Sequence, residues 1–528
     1  PGELREYLTR SLPEYMVPSY FVRLEKMPLS QNGKVDRKAL PEPQFSVNTG
    51  TEYVEPANED ERKMVKLWQE VLGMERIGAN DNFFEMGGHS LKAAVLVSKI
   101  QKEFSVEISL SEIFKAPTVK EITSRLKALK GSIYSSISQV DGTEYLDTKD
   151  GSYVYPVSSA QKRLFILEQM GGLGTTYNLP GVITVEGKID IEAFENAFKK
   201  LIERHETLRT SFRLFDGKPF QIVQKSIDFK LGYREQGNIG IDEIIRMFIR
   251  AFELGTAPLF RAELVKLNNE THLLLFDMHH IISDGVSSVI LVKEFIDIYR
   301  GANLPELRIQ YRDYALWQNK ALESEILENQ QKYWLDVFSG ELPVLNMPLD
   351  YPRPSIQSYE GDRITFTISK KLADTFKDIA LKTGSTLYMV LLCAYNILLN
   401  KYTGQEDIIV GSPTAGRPHA DLENLAGMFV NTLALRNFPK GDKTFIVFLE
   451  ELKENVVTAL ENQDYQFESL IENLKLKRDL SRNSLFDTLF VLQNMGMPEM
   501  DVNGLKFTPY KFENRVSKFD LTLEAVEN

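Results

Sequence analysis

Two periodicities divide the chain. From residue 57 to about 130, apolar positions recur at helical spacing. Met64, Val65, Leu67, Trp68, Val71 and Leu72 form one stripe, opened by Asn58 with Glu61 in a capping-box pattern. A loop follows, and then Leu91, Val95, Ile100 and Phe104 form a second stripe. Ser109 with Glu112 and Thr118 with Glu121 mark the starts of two shorter helices. This segment predicts a small all-α helix bundle. From about residue 153 the pattern changes. The runs 179–185, 220–223, 259–265, 273–278, 364–368, 407–411 and 485–492 read as strands. The stretches 191–204, 241–252, 289–300, 324–338, 373–382, 387–401 and 445–462 read as helices. That mixture predicts an α/β unit over 153–528, too large for one simple core. The Pro-rich stretch Met347 to Pro354 splits it into two lobes, about 153–345 and 346–528. Residues 44–56, polar and punctuated by proline, and 131–152, rich in Ser, Thr and Asp, read as linkers. The second would let the bundle swing relative to the α/β unit.

Composition narrows the partners. A net charge of −12 argues against nucleic acid or an anionic membrane surface. No apolar run is long enough to cross a bilayer. The start, Pro1-Gly2-Glu3-Leu4-Arg5, has neither an initiator Met nor signal-peptide anatomy, so a fragment or a processed chain is expected. The single cysteine, Cys393, excludes an intrachain disulfide. It lies in an apolar helical run, where a buried inert thiol is expected. A cytoplasmic monomer is the resulting expectation.

Two places concentrate chemistry. In the bundle, Gly87-Gly88-His89-Ser90 puts a hydroxyl behind two bare residues at the start of a helix. Free N–H groups and the helix dipole favour a phosphate there, although an N-cap is the commonest role for such a serine. In the α/β unit, the strand Leu273 to Phe276 leads into Met278-His279-His280-Ile281-Ile282-Ser283-Asp284-Gly285. Strand alternation puts His280 on one face with Phe276 and Met278, and His279 on the other with Leu275 and Asp277. Asp284-Gly285 suits a turn whose carboxylate folds back. Spacing alone favours a core histidine beside a surface one, with an ordinary Asp-Gly turn. Adjacent histidines on opposite faces rarely share an ion, so no metal site is expected. No Gly-x-Ser-x-Gly elbow supports a serine hydrolase.

Longer motifs decide between these readings. Asp81-Asn82-Phe83-Phe84-Glu85-Met86-Gly87-Gly88-His89-Ser90-Leu91 resembles the attachment site of peptidyl carrier proteins. Ser159 to Phe165, Arg204 to Phe212, His279 to Gly285, Tyr311 to Ala315, Gly411 to Arg417, Phe429 to Thr432 and Arg478 to Asn483 resemble, in order, the motifs of nonribosomal peptide synthetase condensation domains. Leu12 to Pro18 and Gln31 to Arg37, with Lys34 at a turn, resemble the closing motifs of adenylation domains. The chain thus resembles a carrier–condensation pair of the tyrocidine synthetase type, preceded by an adenylation-domain tail over 1–43. Family members usually continue beyond Leu523, so an incomplete second lobe is expected.

The resemblance implies a multidomain protein. An all-α helix-bundle carrier (57–130) is followed by a two-lobed α/β condensation domain (153–528) like chloramphenicol acetyltransferase, with its active site between the lobes. It implies 4′-phosphopantetheine on Ser90, transferred from coenzyme A by a phosphopantetheinyl transferase. It implies a catalytic group of His279, His280, Asp284 and Gly285. In that group His280 serves the attacking amine, His279 packs, and the Gly285 backbone or Ser287 could donate to an oxyanion. It also implies a structural pair between Asp284 and Arg417. The activity implied is attack of an amine, carried by a downstream carrier domain, on a thioester supplied by the upstream adenylation domain and held by this carrier. Arg204 to Phe212 resembles domains that take L-configured donors. The alternatives are an epimerisation domain and a non-catalytic recruiting platform. The first usually follows a Gly-Gly-Asp-Ser carrier, and the second loses the double-histidine motif. Heterocyclising relatives replace the histidines with Asp.

Overall fold

A computed structural model describes residues 53–104, 106, 108–126, 137–140, 146–147, 151–321, 324–476, 479–493, 501–502 and 504–527. The expected adenylation tail, Lys34 included, lies outside the described residues, as does most of both expected linkers. The chain forms two compact units that divide between Tyr134 and Ser135.

The first unit is helical, with helices Glu59–Leu72, Ser90–Phe104, Leu110–Lys115 and Val119–Leu126. Asn58 caps the first: its Oδ1 accepts the Glu61 N–H at 2.9 Å, and Glu61 Oε2 accepts the Ala57 N–H at 2.7 Å. At the last helix Thr118 and Glu121 close the reciprocal pattern directly, Glu121 Oε2 accepting the Thr118 N–H and Thr118 Oγ1 the Glu121 N–H. Ser109 is an N-cap by position only, because its side chain makes no capping bond. Met64, Trp68, Phe83, Leu96, Ile100 and Ile122 are fully buried. Each such side chain contributes about 1.5–3 kcal/mol on leaving water, enough to hold helices of 6 to 15 residues that would not persist alone.

The second unit carries fourteen strands among its described residues. The first seven are β1 (Leu146–Asp147), β2 (Ser152–Pro156), β3 (Gly181–Glu186), β4 (Thr210–Phe215), β5 (Lys218–Val223), β6 (Gly232–Glu235) and β7 (Phe260–Lys266). The others are β8 (Thr271–Met278), β9 (Ile408–Thr414), β10 (Asn431–Asn437), β11 (Thr488–Gln493), β12 (Asp501–Val502), β13 (Leu505–Pro509) and β14 (Leu521–Val526). They make a six-stranded sheet of order β12-β13-β3-β8-β7-β6, a four-stranded sheet β10-β9-β11-β14, and a four-stranded sheet β1-β2-β5-β4. β8 is central and buried along most of its length. The chain crosses back over the division expected at residue 346. β12 and β13, from the end of the chain, return to the sheet that holds β3 and β8.

Two further expectations need correction. Residues 364–368 form no strand, and Ile364 and Phe366 are 90% and 71% exposed. Their alternation is present, but a strand also needs a ladder partner, and beside them the chain makes only an isolated bridge, Glu360 to Val516. The helix expected to start at Val289 starts instead at Gly285, because Asp284 caps it.

Candidate active site

Ser90 is the first residue of helix Ser90–Phe104, which runs 15 residues. The preceding turn is tied from several sides. Asn82 Oδ1 accepts the Phe84 N–H at 2.9 Å, and the Gly88 N–H reaches the Phe83 carbonyl at 2.9 Å. Phe83 packs edge-on to Trp68, with ring centroids 5.1 Å apart. Gly87 has φ +87°, and a Cβ on Gly88 would fall 2.3 Å from the Phe83 ring. Glycine is therefore required at both positions, and only His89 separates this bare backbone from Ser90. A phosphate ester on a hydroxyl at this helix start fits these residues.

The double-histidine stretch departs from simple strand alternation. β8 ends at Met278, and His279 caps a single 3₁₀ turn, His280–Ile282. Backbone bonds fix the turn: the His279 N–H reaches the Leu259 carbonyl at 3.0 Å, and the His280 N–H reaches the Tyr177 carbonyl at 2.8 Å. Thr207 Oγ1 holds the Ile282 carbonyl at 2.9 Å. Gln161, itself fully buried, brings its Nε2 to 3.5 Å from the Ile281 carbonyl. Gln161 and Thr207 lie inside two of the motifs noted in the sequence, yet their bracing of this turn was not legible there. A buried amide and a buried hydroxyl were the only signals.

The two rings are in different states. His279 is 3% exposed and uses Nδ1 as an acceptor for the Ile281 N–H at 3.1 Å. Its ring meets Phe252 edge-on at 6.3 Å. His280 is half-buried, and its Nδ1 lies 2.8 Å from the Ser283 carbonyl. A carbonyl only accepts, so Nδ1 carries the proton and Nε2 keeps the lone pair. Burial, with smaller contributions from His280 and Lys518, pushes His279 down to about 3, and burial with the Lys518 ammonium pushes His280 down to about 4. Both rings are therefore neutral near pH 7.

A buried neutral histidine makes stability depend on pH. As pH falls below the ordinary value of 6.5, the unfolded chain takes up protons first, so folding loses free energy until the native ring also titrates near 3. The urea midpoint is expected to drop steadily from pH 6.5 towards 4. His279→Asn, whose amide oxygen can still accept from Ile281, should make that slope shallower. An unchanged slope would show that His279 is not the group responsible.

Asp284 is fully buried. Its Oδ1 accepts the Ser287 N–H at 2.7 Å, and its Oδ2 accepts the Phe429 N–H at 3.0 Å. Arg417 Nη2 stands 3.4 Å from Asp284 Oδ1. Arg417 also donates to the Leu422 and Leu425 carbonyls and lies 4.0 Å from the Phe429 ring centroid. The carboxylate therefore caps the helix Gly285–Tyr299 and meets the Arg417 guanidinium, which spacing alone did not suggest and the resemblance did. Gly416, just before Arg417, has φ +61°, and a Cβ there would lie 1.8 Å from the Phe429 carbonyl oxygen. Ser287 is not free to serve an oxyanion. Its hydroxyl donates to the Gly427 carbonyl at 2.8 Å and accepts from Arg417 and from the Gly427 N–H. Gly285 opens the helix, so its N–H points out of the first turn.

Comparison with known proteins gives this geometry a family. Residues 152–528 match the condensation domain model, and residues 62–126 match the phosphopantetheine attachment site model. The chain is 51% identical to bacitracin synthase 3 of Bacillus licheniformis over 99% of its own length and 8% of that protein's. It is 51% identical to gramicidin S synthase 2 of Brevibacillus brevis over 100% of its length and 12% of that protein's. It is 50% identical to tyrocidine synthase 3 of Brevibacillus parabrevis over 100% and 8%. The chain thus spans about a tenth of the length of these relatives. Among solved structures, the X-domain in complex with OxyB from teicoplanin biosynthesis shares the fold at TM-score 0.66 and 20% identity, covering 76% of this chain and 88% of that one. The condensation domain of the monacolin K polyketide synthase MokA does so at TM-score 0.64 and 23% identity, covering 71% and 89%. The chain belongs to the condensation-domain family of nonribosomal peptide synthetases, joined here to a phosphopantetheine attachment-site domain.

Proposed function

We propose that His280 serves the amine in peptide-bond formation, with Ser90 as the attachment residue on the carrier. The observation that carries this reading is the locked tautomer: the Ser283 carbonyl holds the Nδ1 proton of His280, which leaves the Nε2 lone pair for an incoming amine. Phosphopantetheine, when bound, supplies a thiol on which an acyl group is held as a thioester. His280 accepts a hydrogen bond from the amine, orients it, and takes its proton as the C–N bond forms. The amine nitrogen becomes far more acidic as it bonds to the carbonyl carbon, so a weakly basic imidazole suffices. The C–S bond breaks as the amide is completed, and the proton ends on the released thiol. Gly285, through its N–H, completes the catalytic group, while His279, Asp284 and Arg417 hold His280 in place.

The reading extends to partners. Within a longer synthetase, an upstream adenylation domain loads the carrier and a downstream aminoacyl carrier brings the amine. A phosphopantetheinyl transferase modifies Ser90, an L-configured donor is accepted, and the work takes place in the cytoplasm. Among the described residues, no single helix is long and apolar enough to cross a membrane.

Incubation with coenzyme A and a phosphopantetheinyl transferase should add one phosphopantetheine mass to the chain and none to Ser90→Ala. Modification that survives Ser90→Ala would remove Ser90 from the proposal. A chain preloaded with an L-aminoacyl group, mixed with a separately loaded acceptor carrier, should transfer that group to the acceptor amine in a single turnover. A donor that is only epimerised in place would overturn the condensation reading in favour of epimerisation.

A further inference from the structure

A cation outside the double-histidine motif shares a neighbour with His280. Lys518 lies on the irregular stretch between the Val516 bridge and β14. Its carbonyl is held twice, by Gln357 Nε2 at 3.1 Å and Asn483 Nδ2 at 3.2 Å. Its ammonium sits 4.7 Å from the Tyr177 ring centroid. The carbonyl of the same Tyr177 accepts the His280 N–H at 2.8 Å. Tyr177 therefore touches both a clamped lysine from one end of the unit and the histidine turn from the other.

Lys518 has no carboxylate within ion-pair distance among the described residues. The ionisable groups that face it are Arg163 on the helix Ser159–Gln169, Tyr177, and the two imidazoles. Arg163 is already occupied by Glu468 on the helix Phe467–Leu474 at 3.1 Å, and Tyr177 also feels Glu468 and Glu168. A half-buried ammonium without a counter-ion is costly, and an apolar side chain of equal length would fill the same space at less cost. What the charge adds is a positive potential at the place where a cationic amine must arrive.

We infer that Lys518 is an electrostatic positioning residue of this site, keeping both His280 and the entering amine unprotonated so that the amine arrives with its lone pair free. The inference rests on the reading of His280 as the group that serves the amine. A free amine is mostly an ammonium near neutral pH. Each unit by which the local potential lowers its pKa raises the reactive fraction about tenfold. The same charge favours the negative carbonyl oxygen that develops under attack. Burial and Arg163 hold Lys518 itself down to about 8, so its own charge is lost above that pH.

The test is single-turnover peptide-bond formation by the loaded full chain across pH 6 to 9, beside an NMR titration of its six histidines. Lys518→Gln should be slowed about tenfold at pH 7. The gap should close towards pH 9, where the wild-type lysine has discharged. Lys518→Arg should match wild type at pH 7 and keep its advantage at pH 9. A constant gap at every pH, or no gap, would overturn the proposal. The titration separates this inference from the one beneath it. If wild type forms no peptide bond, the reading of His280 fails; an upward move of the His280 midpoint in Lys518→Gln would still support the role of Lys518, and an unmoved midpoint would refute it. Should Lys518→Gln fail to fold, Lys518→Arg against wild type at pH 9 carries the same comparison, with equal rates overturning the proposal.

Discussion

His280→Ala is expected to slow single-turnover peptide-bond formation by about 10²- to 10⁴-fold, the usual contribution of a positioned general base. Loading of Ser90 should be unaffected, because Ser90 and His280 belong to different compact units. The size of the loss distinguishes the possible roles of the ring. A loss well under a hundredfold would mean that Nε2 orients the amine without taking its proton. A Gln amide offers a donor for Ser283 and an acceptor but no basic nitrogen, so His280→Gln should recover little if the ring takes the proton. Full activity in a folded His280→Ala chain, with an unchanged melting curve, would remove His280 from the reaction.

Breaking the Asp284–Arg417 pair should have the largest effect on stability. Arg417→Ala leaves a fully buried carboxylate with two backbone N–H partners and no cation, and it also abandons the Leu422 and Leu425 carbonyls. Removing one partner of a buried pair costs about 3–5 kcal/mol. Asp284→Ala should cost as much, since it also strips the cap from helix Gly285–Tyr299. Asp284→Asn should cost less than Asp284→Ala, because one acceptor oxygen remains. The double variant Asp284→Ala with Arg417→Ala should cost clearly less than the two single losses added together. Urea unfolding of the four chains measures this directly. If each single variant unfolds within about 1 kcal/mol of wild type, the pair is not structural. Activity should fall with stability here, since the histidine turn leads straight into the capped helix.

Features that repeat over a few residues were legible in the sequence. β8, the helix stripes of the carrier and the Asn58 cap follow from periods and short offsets, which local sterics enforce. Features that depend on who arrives from a distance were not. The alternation of Ile364, Phe366 and Ile368 was real, but no neighbouring strand supplies a ladder. Ser287 looked available as a donor until the fold brought Gly427 and Arg417 to its hydroxyl. The strand rule assigned faces to His279 and His280, but the strand stops one residue earlier and a 3₁₀ turn orients the rings. The pairing of Asp284 with Arg417 came from family resemblance, because no local pattern connects residues 133 positions apart. Lys518 was passed over because a lysine in a polar stretch is ordinarily solvated.

The return of β13 to the sheet of β3 bears on how the chain is made. Lys506 pairs with Glu186, so β3 leaves the ribosome about 320 residues before its partner exists. At roughly 5–20 residues per second, that interval is on the order of tens of seconds. Throughout it β3 lacks the neighbour on one side, and an open apolar edge is a template for wrong pairing. The first lobe can collapse early around β8, but it completes its sheet only when the chain reaches the last tenth of the unit. Nascent chains stalled before residue 501 should therefore bind holdase chaperones and be cleaved readily by protease, and chains extended past residue 509 should lose both properties together.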